Sequence, residues 1–105
     1  TLHIAYNENN RYLLSRNKIS LLKKNVILIN TSRGGIVDED AFYKFLKKNK
    51  KAIGIFDVME KEPPSNYKLI KLKNFFLTPH IAGSTTKAID TGSVDCARKI
   101  LSQYD

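Results

Sequence analysis

Apolar residues fall along this chain in two alternating rhythms. Short runs of consecutive apolar positions alternate with longer stretches in which they recur every three or four residues. "TLHIA" (1–5) reads as a short strand followed by the polar, turn-like "YNENNR". "SRNKISLLKK" (15–24) predicts a short helix burying Ile19, Leu21 and Leu22. "NVILIN" (25–30) and "AIGIFDV" (52–58) are apolar at successive positions, as expected of strands covered on both faces. "NFFL" (74–77) predicts a further strand stopped by Pro79.

Between the first two long strands the helix signals are explicit. Asp38 is a candidate N-cap, Glu39 and Asp40 load the first turn with negative charge, and Lys47 and Lys48 load the last with positive charge. Val37 and Phe42 stand at the hydrophobic-staple positions. Ala41, Phe42, Phe45 and Leu46 share one face. From Ser84 onward Ile89, Cys96, Ala97, Ile100, Leu101 and Tyr104 follow helical spacing, with Gly92 as the weak point. Cys96 at such a position reads as core. Prolines 63 and 64 exclude regular structure from "KEPPSNYK", and no linker is longer than this 60–68 loop. Strands alternating with helices predict an α/β fold, a parallel sheet flanked by helices.

Composition narrows the function classes. The 105 residues, 42% of them hydrophobic, suffice for one domain with one core. The single cysteine excludes a disulfide within the chain and a cysteine metal cluster. No metal site is expected. The net charge of +8 comes mostly from lysine runs such as "KKNKK" (47–51), which read as a solvated face. Nucleic acid is an unexpected partner, because the arginine and aromatic interleaving of such surfaces is missing. No apolar run approaches a membrane span, so a membrane is not an expected partner. Cytoplasm is the expected compartment, though nothing in the residues fixes it. The first residue is Thr1, and the expectation is a piece of a longer chain.

Three predicted strands lead into groups capable of chemistry. "VILIN" leads to Arg33, "AIGIF" to Asp57 and then Glu62, and "NFFL" to His80. In a parallel sheet these lie on one edge, where open α/β sheets bind ligands. Each also has a structural alternative. Arg33 could pair with Asp38 or Glu39, Glu62 could be a solvated loop residue, Asp57 a turn or cap former, and His80 a helix-entry residue bonded to backbone.

"LINTSRGGIVDEDAF", "GIFDVMEKEP" and "LTPHIAGST" together resemble, in order and approximate spacing, the signature segments of the D-isomer-specific 2-hydroxyacid dehydrogenases. The resemblance extends from "LHI" (2–4) into the last helix, and "AGST" is closest to the phosphoglycerate dehydrogenase branch. It implies a Rossmann-type fold, NAD as cofactor and a small 2-oxo or 2-hydroxy acid as substrate, possible identities including 3-phosphoglycerate. By the same resemblance Arg33 would grip the substrate carboxylate and carbonyl, His80 would be the general acid and base, and Glu62 would hold the imidazole. Asp57 would accept from the nicotinamide carboxamide. Thr31, Ser32 and Arg33, with His80, Ile81, Ala82 and Gly83, would line the cofactor. Departures are Ala5 where the family has proline, Asn10 where it has threonine, and the bulky Ile53 and Ile55 before Asp57. No G-x-G-x-x-G occurs. Residues 1–105 are therefore expected to be the carboxyl-terminal half of a dinucleotide-binding domain, partnered by the rest of its own chain and by a second copy. Two alternatives follow: a non-enzymatic regulator that senses NAD(H) on the same fold, and a basic nucleic-acid-binding fragment.

Overall fold

A computed structural model describes residues 1–65 and 67–103. Its elements in chain order are a 3-10 turn at Glu8–Asn10, α1 (Arg16–Ser20), β1 (Ile27–Asn30), α2 (Glu39–Lys48), β2 (Ile53–Phe56), β3 (Phe75–Leu77) and α3 (Thr86–Leu101). The three strands form one sheet in the order β1-β2-β3, and both pairings are parallel. The α/β expectation therefore holds, with α2 making the crossover from β1 to β2.

The register determines where side chains go. Leu28 aligns with Gly54 and Gly54 with Phe75, and Asn30, Phe56 and Leu77 lie abreast two residues later, on the same face. Leu28, Phe56 and Phe75 are buried against Phe42 and Leu46 of α2 and Ile19 of α1. Gly54 makes this layer thin, because a Cβ there would stand 2.7 Å from ring atoms of both Phe42 and Phe75. The Phe42 and Phe56 rings stack at 5.4 Å, and Phe56 meets Phe75 edge-on at 5.1 Å.

Helix α2 starts and stops where the sequence indicates. The Asp38 carboxylate accepts from the Ala41 N–H at 2.8 Å, and Val37 and Phe42 are both fully buried. At the other end the Asn74 side-chain amide donates at 3.2 Å to the Leu46 carbonyl, an acceptor that the helix leaves open, and at 2.8 Å to the Ala52 carbonyl before β2.

Several expectations are corrected. The strand at 1–5 reduces to one bridge, with the Leu2 N–H donating to the Ile29 carbonyl at 2.9 Å. Asn10 Nδ2 takes the Ala5 carbonyl at 2.6 Å, and the Asn7 capping box then turns the chain into the 3-10 segment. Leu21 is 84% exposed rather than buried, because α1 ends at Ser20 and leaves Leu21 as its C-cap. The strands are covered on one face only. Ile27, Ile55 and Phe76 on the other face are exposed, since among the described residues both packed helices lie on the Leu28 side. Helix α3 runs unbroken through Gly92, capped by Thr85, but none of its residues is buried. Cys96 is accordingly exposed rather than core. Tyr104 lies outside the described residues. Among those described, no helix is long and apolar enough to cross a membrane.

Gly54→Ala should destabilise the domain by about 1–3 kcal/mol through overpacking. Denaturant unfolding of wild type and variant checks this, and unchanged stability would mean that α2 sits less tightly on the sheet.

Candidate active site

The carboxyl edge of the sheet carries two turns, each tied to a buried polar side chain. Asn30, the last residue of β1, is 1% exposed. Its Oδ1 accepts from the Ser32 N–H and hydroxyl at 3.1 and 3.0 Å, and its Nδ2 donates to the Arg33 carbonyl at 3.0 Å. This holds Thr31–Arg33 in one conformation. The Arg33 guanidinium donates to the Ser32 carbonyl at 2.7 Å and makes no ion pair among the described residues. Pairing with Asp38 or Glu39 is thus not what occupies it.

The two glycines after Arg33 do different jobs. A Cβ on Gly34 would sit 2.0 Å from the Met59 carbonyl oxygen, so only glycine lets this turn lie against the 59–60 backbone. Gly35 has φ 76, which favours glycine outright. Its carbonyl accepts from Tyr12 N–H at 2.7 Å, and residues 36–38 continue the pairing with Leu14.

Asp57 follows β2 and is 4% exposed. Its Oδ1 accepts from the Thr78 hydroxyl and from the Ile81 N–H at 2.9 Å, and its Oδ2 accepts from the Ala82 N–H at 2.8 Å. Burial works to raise the Asp57 pKa. The hydrogen bonds from Thr78, Ala82 and Ile81, with nearby His80, outweigh it and hold the carboxyl below its ordinary range. His80 lies within this turn at φ 55.

His80 Nδ1 meets Glu62 Oε2 at 2.7 Å, and Glu62 Oε1 accepts from the Met59 N–H at 2.9 Å. The bond to His80, then that from Met59, lowers the Glu62 pKa against a smaller opposing effect of burial. Arg33, Glu62 and His80 thus stand together around one cleft of about 1100 Å3, with Thr31, Ser32, His3 and Ala5 also on its wall. Asp57 lines a second, smaller pocket beside it, with Thr78, Pro79 and His80. Asp57, Ile81, Ala82 and Gly83 do not line this cleft, and Ile81, Ala82 and Gly83 are exposed beside it.

Sequence reasoning missed Asn30, Thr78 and a pair on the cleft wall, Arg11 and Glu60. Arg11 approaches the Glu60 carboxylate at 3.4 Å, and the hydroxyl of Tyr12, a residue at φ 49 that does not itself line the cleft, donates to the same carboxylate at 2.8 Å. The signal for Asn30 was available: a polar residue ending an apolar run has to find partners when the strand is buried. Nothing local marks Tyr12 or Thr78.

Residues 1–82 match the model of the D-isomer specific 2-hydroxyacid dehydrogenase NAD binding domain. The chain is 39% identical over 100 residues to a D-3-phosphoglycerate dehydrogenase of Methanocaldococcus jannaschii, covering 95% of this chain and 19% of that protein. It is 42% identical over 88 residues to a glyoxylate reductase of Thermococcus litoralis, covering 84% and 27%. Among solved structures, an acyclic imino acid reductase in complex with NADPH and D-Arg superposes with a TM-score of 0.85 at 32% identity, covering 98% of this chain and 33% of that one. The chain thus spans about a fifth to about a third of the length of these relatives. Fold and matches define the class, a Rossmann-type nucleotide-binding domain whose cofactor is NAD. Within that class the chain belongs to the D-isomer specific 2-hydroxyacid dehydrogenase family.

The depressed Glu62 pKa has a definite sign. Its contribution to stability is complete above the ordinary carboxyl value of 4.5 and is lost as pH falls through the lower folded value. Glu62→Gln should therefore flatten this part of the acid limb in stability measured against pH. The wild-type excess should shrink in high salt, since both side chains are partly exposed. An acid limb identical in the two proteins would show the pair to be energetically idle.

Proposed function

We propose that the protein carrying this domain transfers a hydride between NAD(H) and C2 of a small 2-oxo or 2-hydroxy acid. The observation that carries the reading is the His80–Glu62 contact of 2.7 Å on the same cleft as Arg33, whose guanidinium makes no ion pair among the described residues. The bound cofactor supplies or accepts the hydride. Arg33 offers a planar fork of donors to the substrate carboxylate and carbonyl, which a lysine point charge cannot reproduce. His80, engaged through Nδ1, keeps Nε2 for the substrate and delivers a proton to the carbonyl oxygen as C2 is reduced. In the reverse direction it removes the hydroxyl proton. Glu62 orients the ring through Nδ1.

The residues present fit one end of the cofactor. Gly34 and Gly35 bring backbone to the cleft surface, Thr31–Arg33 form one wall and His80–Gly83 the adjoining turn. Asp57 uses three of its roughly four acceptor positions internally, and the remaining one on Oδ2 suits a carboxamide N–H. No turn among residues 1–105 has the glycine pattern of a pyrophosphate cradle. We therefore assign these residues to the second half of the domain. The remainder of the parent chain supplies the cradle and covers the open sheet face of Ile27, Ile55 and Phe76.

Two measurements follow. Arg33→Lys in the full-length protein should lower kcat/KM about 10²-fold, about 3 kcal/mol of transition-state binding, with both KM and kcat affected. Near-wild-type kinetics would leave Arg33 a surface residue, and NAD(H) binding without turnover on any of a panel of 2-oxo acids would make the protein a regulator. Residues 1–105 alone should bind NAD weakly or not at all. Tight, stoichiometric binding in calorimetry would contradict their assignment as the half without the cradle.

A further inference from the structure

His80 is held in a backbone conformation that residues bearing a Cβ rarely adopt. Its φ of 55 places it in the left-handed region, and Tyr12 is the one other non-glycine residue there among those described. Such a residue persists when its surroundings over-determine it. Here the surroundings can be named. The Asp57 carboxylate takes the Thr78 hydroxyl, two residues before His80, together with the Ile81 and Ala82 N–H groups, one and two residues after it. The His80 N–H itself closes back onto the Thr78 carbonyl at 3.0 Å. Asp57 is anchored in turn, because its N–H donates to the Asn30 carbonyl at 2.9 Å and the Thr78 N–H donates to the Phe56 carbonyl at 2.9 Å. Both ends of the turn are thus pinned to the sheet through one buried carboxylate.

We infer that Asp57 and Thr78 are positioning residues, a clamp that holds the His80 backbone left-handed so that the imidazole meets Glu62 and faces the cleft. The direction of a Cα–Cβ bond depends on φ. If the turn relaxed to negative φ, the His80 ring would leave the Glu62 carboxylate, since Glu62 is independently fixed by the Met59 N–H at 2.9 Å. The low pKa of Asp57 is consistent with this use, because an ionised carboxylate accepts all three bonds while a protonated one must give up an acceptor position. The Thr78 hydroxyl is the informative member. Asp57 also has a proposed part in holding the cofactor, whereas the Thr78 hydroxyl bonds only Asp57 among the described residues.

The inference rests on the reading of His80 as the proton donor, and the test separates the two. The full-length protein is prepared as wild type, Thr78→Val and Thr78→Ser. Thr78 is exposed as a residue, so removing its hydroxyl does not open a cavity in the core. Steady-state kinetics are measured with NADH and a turned-over 2-oxo acid. The His80 ring is followed by long-range proton–nitrogen correlation, its signals assigned by their loss in His80→Gln. Thr78→Val should lower kcat about 10-fold or more with both KM values within about 2-fold. It should also shift the Nδ1 signal away from that of the Glu62-bonded ring, and Thr78→Ser should restore both. Unchanged ring signals in Thr78→Val would overturn the clamp, whatever the rate. A raised KM for NADH with kcat and ring signals intact would also overturn it, leaving Asp57 to the cofactor alone. A displaced ring with undiminished kcat would support the clamp and remove His80 from proton transfer, so the functional reading would fail by itself.

Discussion

Two polar side chains are buried among the described residues, Asn30 and Asp57, and both stand at the carboxyl edge of the sheet. A buried amide or carboxylate is tolerable only when hydrogen-bonded, and each here is satisfied almost wholly by the turn beside it. Asn30 binds residues 32 and 33, and Asp57 binds 78, 81 and 82. The cost of burying them thereby becomes a constraint on two otherwise free loops. Those loops carry Arg33 and His80.

The parallel register makes this arrangement compact. Asn30, Phe56 and Leu77 lie abreast, so the residues after each strand emerge side by side although they are far apart in sequence. The strands are only three or four residues long, which leaves each turn a step away from the buried Phe42–Phe56–Phe75 ring cluster. Side chains on so short a mount inherit the rigidity of the core. Backbone irregularity is concentrated at the same edge: the positive φ values of Tyr12, Gly35 and His80 all occur in segments that reach the cleft. Each is compensated locally, by Glu60 for the Tyr12 hydroxyl, by Tyr12 for Gly35 and by Asp57 for the His80 turn.

The helical layer covers one side of the sheet, and the opposite side presents Ile27, Ile55 and Phe76 to solvent. Helix α3 likewise carries an apolar stripe with none of its residues buried. The sequence wrote these positions as interior, and the matched relatives are three to five times longer than the chain. Departures from burial here are therefore a matter of what packs against these faces rather than of the local pattern.

The sequence by itself determined what depends on neighbours along the chain. Strand and helix types followed from apolar period, and α2 followed from Asp38, its charged ends and the Val37–Phe42 pair. The three family segments were equally legible, because each is a contiguous run whose residue types a local reading can recognise. Tertiary structure decided what depends on approach between distant segments. It exposed Leu21 at the end of a one-turn helix and left Cys96 uncovered. It turned Asp57 inward onto the 78–82 turn, and it forced His80 into the left-handed region. A hydrogen bond between residues 57 and 81 or 62 and 80 has no signature in either segment alone. It exists because parallel strands bring their ends together, and only the folded chain sets that distance and angle.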